Sequence, residues 1–154
     1  MKPMRILCLC AGNKDRSPAI RAFIVQMLQL QGRDVEGMII DSAGVLDSAK
    51  AGGSAPELAV NAAKVFGIYL QNHVQTHVES VDLEAYDLYV VADKMVQAEL
   101  IKHHYPKRGE VVCLELDGVA NAWMSNDPRK VDEMLIQIQA AVYRYIGQYL
   151  FRVE

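Results

Sequence analysis

Cys10 and Arg16 are separated by five residues, AGNKD, and Ser17 and Pro18 follow directly. Residues of these types at this spacing can do phosphoryl chemistry. A short loop between an apolar run and a proline-led helix gathers backbone N–H groups and a helix N-terminus around one point, which makes a cradle for an anion. Gly12 has access to conformations other residues avoid, and Asn13 is the residue type that best tolerates positive φ after a glycine. Arg16 supplies a planar fork that can hold two phosphate oxygens at once. The same donors favour a thiolate at Cys10, because cysteines near arginine or at helix N-termini titrate at roughly 3.5–7.5 instead of about 8.5. An activated sulfur inside an oxyanion nest is the apparatus of covalent phosphoryl transfer through a phosphocysteine. The competing reading is an ordinary buried cysteine in an ordinary turn. Against it stands the joint, ordered occurrence of strand, Gly-Asn, Arg and Ser-Pro-helix. Cys8, two residues earlier on the same strand face, reads as core, with a redox partnership as the alternative. Cys113 reads as mid-strand core.

The elements that must position this loop are legible as an alternation of strands and helices. Arg5 to Cys10 reads as a short buried strand. Pro18 opens a helical pattern (Ile20, Phe23, Ile24, Met27, Leu28) that Gly32 stops. Residues 37–44, GMIIDSAG, read as a second strand followed by a Gly/Ser/Ala-rich loop to Ser54. Pro56 to Phe66 reads as a helix with Gly67 just past its end. Residues 86–93, YDLYVVAD, predict a third strand, Met95 to Tyr105 a helix, and 110–116, EVVCLEL, a fourth strand. Asp117 to Asp127 reads as a loop. From Pro128, apolar residues through Tyr149 predict one long amphipathic helix. The alternation implies an α/β fold: a three-layer sandwich with a four-stranded parallel sheet and helices on both faces. Ligands of such sheets bind beyond the carboxyl ends of the strands, where Cys10 sits.

The length of 154 residues fits a single domain, 1–154, and 51% hydrophobic content supplies its core. A net charge of −3 and a pI near 5.8 argue against nucleic-acid binding over a general basic surface. The apolar run at Ile6 to Cys10 is too short for a signal peptide, and no stretch approaches membrane-spanning length. Three cysteines without a secretory signal predict reduced thiols in a cytoplasmic protein.

The chain resembles the low-molecular-weight protein tyrosine phosphatase family. The motif Cys-x5-Arg-Ser-Pro, here CAGNKDRSP, carries the resemblance, with DSAG (41–44), GIYLQNH (67–73), YDLYVVAD (86–93) and NDP (126–128) in matching order. The resemblance implies a phosphatase loop after the first strand, with Cys10 as nucleophile and Arg16 as the clamp on the transition state. The run Ala11, Gly12, Asn13, Lys14, Asp15, Arg16 and Ser17 would hold the phosphate. Ser17 would hydrogen-bond the sulfur, and Ser42 and His73 would pin Asn13. Asp127 would be the general acid, and then the base for hydrolysis of the phosphocysteine. No metal or other cofactor is implied. Partners would be a phosphorylated protein or a small phosphorylated molecule; the oligomeric state is left open. Simpler readings stand beside these roles. Asp127, before a proline, is also a natural helix N-cap. Ser42 is also a strand-end turn residue. His73 and His77, four apart, have metal-pair spacing, but no further ligands complete a site. His103 and His104 read as exposed helix-end residues. Trp123 either walls the pocket or packs.

The chain departs from the family at three places. Asp15 replaces a cysteine that can protect the nucleophile by forming a disulfide, and its carboxylate opposes an anion unless it points away or pairs with Lys14 or Arg21. Arg129 stands where an aromatic often follows Asp-Pro. Residues 45–55, VLDSAKAGGSA, lack the other aromatic wall. An open, polar, partly cationic rim suggests a non-aromatic or acidic phosphorylated substrate, or poor activity on tyrosine. The leading expectation is a phosphomonoesterase. The alternatives are a catalytically weakened phosphate- or phosphoprotein-binding module, a phosphotransfer carrier, and an arsenate reductase, for which residues 73–93 lack the cysteines that would relay a disulfide.

Overall fold

The computed structural model describes residues 4–103, 109–116 and 126–151. Four parallel strands form one sheet: β1 (Arg5–Cys10), β2 (Ile39–Gly44), β3 (Leu88–Val91) and β4 (Glu110–Cys113), in the order β2-β1-β3-β4. Consecutive residues of a strand point to opposite faces, and Ile6, Leu7, Cys8, Leu9 and Cys10 are all at most 2% exposed. Both faces of β1 are therefore covered, which is why its sequence reads as a continuous apolar run and not an alternation. The chain leaves β1 toward β2 on one side, and β3 pairs on the other. That reversal places the end of β1 at the switch point of the sheet, where a crevice opens beyond the carboxyl edge.

Helix α1 (Arg16–Leu30) follows the Cys10 loop and buries Ala19, Ile20, Phe23, Ile24 and Met27. It begins two residues before Pro18, because Asp15 serves as its N-cap and Pro18 falls in the first turn. Proline is tolerated there for lack of an N–H that would need a partner. Helix α2 (Glu57–Val65) ends at Phe66, whose ring meets Phe23 edge-on at 6.1 Å. Gly67 follows at φ 76°, the left-handed turn that ends a helix. Helix α3 (Lys94–Lys102) packs against β3, and α4 (Pro128–Ala141) against α1 and α2. The long C-terminal helix continues through a π-helical stretch at Val142–Ile146 to Leu150. No helix among the described residues is long and apolar enough to cross a membrane.

Several expectations are corrected. The strands are shorter than their apolar runs: β3 stops at Val91 and β4 at Cys113, so Asp93 lies beyond a strand end. Cys113 is the last residue of an edge strand and only partly buried, not mid-strand core. The loop after β2 contains a 3-10 turn at Asp47–Ala51. His103 is not simply exposed: its ring packs against buried His77 at 5.5 Å. His104, Tyr105 and the 117–125 part of the late loop, Trp123 included, lie outside the described residues.

Ile20 is fully buried where α1 meets the sheet. Ile20→Ala should lower stability by about 2–5 kcal/mol, read as an earlier urea midpoint with an unchanged slope.

Candidate active site

The loop from Cys10 to Ser17 is built around Asn13, which is fully buried at φ 54°. A non-glycine residue in that region is held at a cost, and here every polar group of the residue is used. Its amide nitrogen Nδ2 donates to Ser17 Oγ at 2.7 Å and to Ser42 Oγ at 3.0 Å. Its Oδ1 accepts from the Thr76 N–H at 2.8 Å. Its carbonyl lies 2.6 Å from His73 Nε2. A carbonyl can only accept, so that ring nitrogen carries the proton. Burial lowers the His73 pKa, which keeps the ring neutral. Ser42 and His73 thus occupy the pinning positions expected of them, and Thr76, which sequence reasoning missed, is a third anchor. Gly12, in contrast, has no positive φ; the left-handed residue of the loop is Asn13 alone.

The backbone N–H of Asn13 points at Cys10 Sγ, 3.2 Å away. Ser17 Oγ lies 3.0 Å from the same sulfur. Ser17 Oγ accepts from Asn13, and its single hydrogen has two acceptors within reach, the sulfur at 3.0 Å and the Ala43 carbonyl at 3.5 Å. With the sulfur ionised, the closer contact is a hydrogen bond from Ser17 to it, and the Asn13 N–H and the Ser17 hydroxyl then both face Cys10. Cys8 is different: complete burial pushes its thiol pKa far up, and it stays a protonated core residue.

Arg16 is only 4% exposed, and its Nη1 donates to Asp93 Oδ2 at 2.8 Å. The other oxygen of Asp93 caps α3 by accepting from the Val96 N–H at 2.9 Å. Sequence reasoning missed Asp93. The available signal was an acidic residue just past a buried parallel strand and ahead of a helix, at the sheet edge that holds ligands. Gln75 was missed as well: its Nε2 donates to the Gly12 carbonyl at 2.7 Å and its Oε1 accepts from the Gly53 N–H at 3.0 Å, tying the loop to its neighbours.

Asp15 does not point out to solvent. It is 4% exposed, and its Oδ1 accepts from the N–H of Arg16 at 2.8 Å. Its Oδ2 is buried with no hydrogen-bond partner. Burial pushes its pKa up to about 6, against the opposing pull of the Arg16 N–H and the charges of Arg16 and Lys14. Folded Asp15 thus holds its proton more tightly than unfolded Asp15. That contribution to stability is complete below about pH 4 and lost as pH rises through about 6.

Asp127 caps α4, its Oδ1 accepting from the Arg129 N–H at 3.0 Å. The preceding Asn126 is in the left-handed region at φ 58°. The cap reading of Asp127 is thus realised in the structure. The side chain of Arg129 is 88% exposed, with its Nε 3.6 Å from Asp127 Oδ1, and Ser48 is exposed in the segment that lacks an aromatic residue. Ser48 comes within 3.4 Å of where a side chain on Gly12 would begin.

Gly44 ends β2 directly under the loop. A Cβ there would lie 2.8 Å from the Ala11 carbonyl oxygen and 2.9 Å from the Asn13 nitrogen. Both are backbone atoms of the cradle, so the loop would have to move. Gly44→Ala should cost about 1–3 kcal/mol in denaturant unfolding and weaken inorganic phosphate binding as well.

The sequence matches the family model described as low molecular weight phosphotyrosine protein phosphatase over residues 5–150. A search of curated proteins found no match. Among solved structures, the fold is shared with DARP, a Drosophila arginine phosphatase, at 18% identity and TM-score 0.79, covering 98% of this chain and 100% of that one. It is shared with a YwlE mutant from Bacillus subtilis at 21% identity and TM-score 0.77, covering 96% and 98%. A low molecular weight protein tyrosine phosphatase from T. tengcongensis matches at 18% identity and TM-score 0.75, covering 97% and 99%.

Proposed function

Because the chain belongs to the low molecular weight phosphotyrosine protein phosphatase family, a family of cysteine-based phosphatases, we propose that it hydrolyses a phosphomonoester or related phosphorylated substrate through a phosphocysteine formed on Cys10. The observation that carries this reading is the convergence of the Asn13 N–H and the Ser17 hydroxyl on Cys10 Sγ. These donors hold negative charge on the sulfur before attack and again when it departs. The phosphoryl group sits in the loop Ala11 to Ser17, with Arg16 stabilising its equatorial oxygens. Asp93 anchors Arg16 through Nη1 alone, which orients the guanidinium and keeps its other edge for the ligand.

In the first step the Cys10 thiolate attacks phosphorus, the S–P bond forms and the bond from phosphorus to the leaving atom breaks, P–O in a phosphomonoester and P–N in a guanidino phosphate. Asp127 gives that leaving oxygen or nitrogen its proton. In the second step Asp127, now a carboxylate, takes a proton from water as it attacks, the S–P bond breaks, and phosphate and the thiolate are regenerated. The capping bond from Arg129 fixes the Asp127 carboxyl at the head of α4, which is consistent with a positioned acid. Charge neutralisation comes from Arg16 and the loop amides, so the steps use no metal. The substrate is a phosphorylated protein or small molecule. The lack of an aromatic residue at 45–55 and at position 129 favours an aliphatic or guanidino phosphate over a phosphotyrosine ring, and the shared fold with an arginine phosphatase makes phosphoarginine a test substrate.

The test is phosphate release from p-nitrophenyl phosphate and from phosphotyrosine, phosphoserine and phosphoarginine peptides. Cys10→Ser should abolish turnover on all of them while inorganic phosphate still binds; full activity in that variant would rule out the covalent route. Asp127→Asn should slow turnover about 10²–10⁴-fold on poor leaving groups and far less on p-nitrophenol. An equal effect on every substrate would place the acid elsewhere. Phosphate binding without turnover of any substrate would instead mark a binding module.

A further inference from the structure

A helix presents an anion with the N–H groups of its first turn, and α1 has few to give. Pro18 has none, and the Ala19 N–H donates to the Asp15 carbonyl at 3.0 Å. That leaves the N–H groups of Arg16 and Ser17. The first of these is already held by Asp15 Oδ1 at 2.8 Å. A carboxylate of the protein thus occupies half of what the helix offers an anion. The second oxygen of that carboxylate is buried without a partner. A charge in that state carries a desolvation cost that a proton removes.

We propose that Asp15 is a proton-linked gate on the oxyanion site: as a carboxylate it competes for the first amide of α1, and an oxyanion enters the loop together with a proton that neutralises it. The proposal rests on the loop being the phosphate site and adds a condition on when that site is open. The carboxyl side chain cannot leave, because it is 4% exposed and covalently part of the cradle. A bound dianion would face it as a like charge in a water-poor pocket, and the two cannot both be charged without penalty. Neutralising Asp15 removes the repulsion and turns its orphaned oxygen into a hydroxyl donor. The site as a whole then prefers its ligand at acid pH, or as a monoanion that brings the proton itself.

The surrounding charges do not cancel this linkage. Lys14 and Arg16, on the same loop, attract the Asp15 carboxylate, yet its pKa still lies near 6 because burial outweighs them. From the β3–α3 junction, Asp93 pairs with Arg16 through Nη1 at 2.8 Å, so the guanidinium already has one carboxylate partner. From the segment before Thr76, His73 reaches the loop at the Asn13 carbonyl and is kept neutral by its own burial. Cys10 closes the loop at the end of β1 and Asp127 heads α4, so the titration is run in Cys10→Ser and in Asp127→Asn as well.

Sulfate is the probe, because it keeps two charges across the range and does not itself titrate. Its dissociation constant is measured by NMR titration between pH 5 and 8 on the whole chain, in parallel with Cys10→Ser and Asp127→Asn. Affinity should fall by up to about tenfold per pH unit above pH 6, with the same slope in Cys10→Ser and Asp127→Asn. Asp15→Asn keeps an oxygen for the Arg16 N–H but carries no charge; it should bind about tenfold or more tighter at pH 7.5 and lose the slope. The carboxyl carbon-13 shift of Asp15 in the unaltered chain gives a reading independent of any variant, and saturating sulfate should move its titration upward. A pH-independent affinity, an unchanged slope in Asp15→Asn, or an Asp15 titration that ignores sulfate would each overturn the gate while leaving the phosphatase intact. Failure of sulfate to bind at any pH would overturn both the gate and the loop as an oxyanion site.

Discussion

The site depends on one buried side chain held in a conformation it would not choose. Asn13 sits at φ 54°, and its amide, carbonyl and backbone N–H are all bonded, to Ser17, Ser42, Thr76, His73 and Cys10. Strain of this kind persists only where the surroundings over-determine it. Cys10 and Ser17 are the loop's own ends, while Ser42, His73 and Thr76 come from β2 and the 73–76 segment, so tertiary contacts complete what the local sequence begins. The same bonds that force Asn13 into place turn its N–H toward the sulfur and hold the Ser17 hydroxyl 3.0 Å from it. Loop shape and nucleophile environment are one network.

Charge in the site is similarly self-contained. A buried arginine needs a partner, and Asp93 provides it from the far side of β3 while also capping α3. Asp15 provides a second internal carboxylate at the head of α1. The first fixes the geometry of a cation without covering it. The second occupies a donor that a ligand would use.

The sheet explains why these groups meet. In the order β2-β1-β3-β4 the loop after β1 lies between the ends of β2 and β3, so Gly44 from one side and Asp93 from the other border it. Gly44 must be glycine because the Ala11 and Asn13 backbone crosses directly above it.

Much of the architecture was readable along the chain, because periodicity and breakers are local. The apolar run of β1, the 3.6-residue pattern of α1 and Gly67 after α2 appear where expected. The boundaries shifted where an unread side chain set them, as Asp15 did by capping α1 two residues before Pro18. At the site, the Cys10, Arg16 and Ser17 spacing identified the loop, and the resemblance put Ser42 and His73 beside Asn13. Asp93, Thr76 and Gln75 were not legible, since their partners lie 77, 63 and 63 residues away in sequence. The sequence by itself determined which loop could bear the chemistry, because residue type and spacing fix what a short turn can present. Only the tertiary structure decided the direction in which Asp15 points, the carboxylate that holds Arg16 and the atoms that meet the sulfur. Those depend on distances across the sheet, which no local pattern encodes.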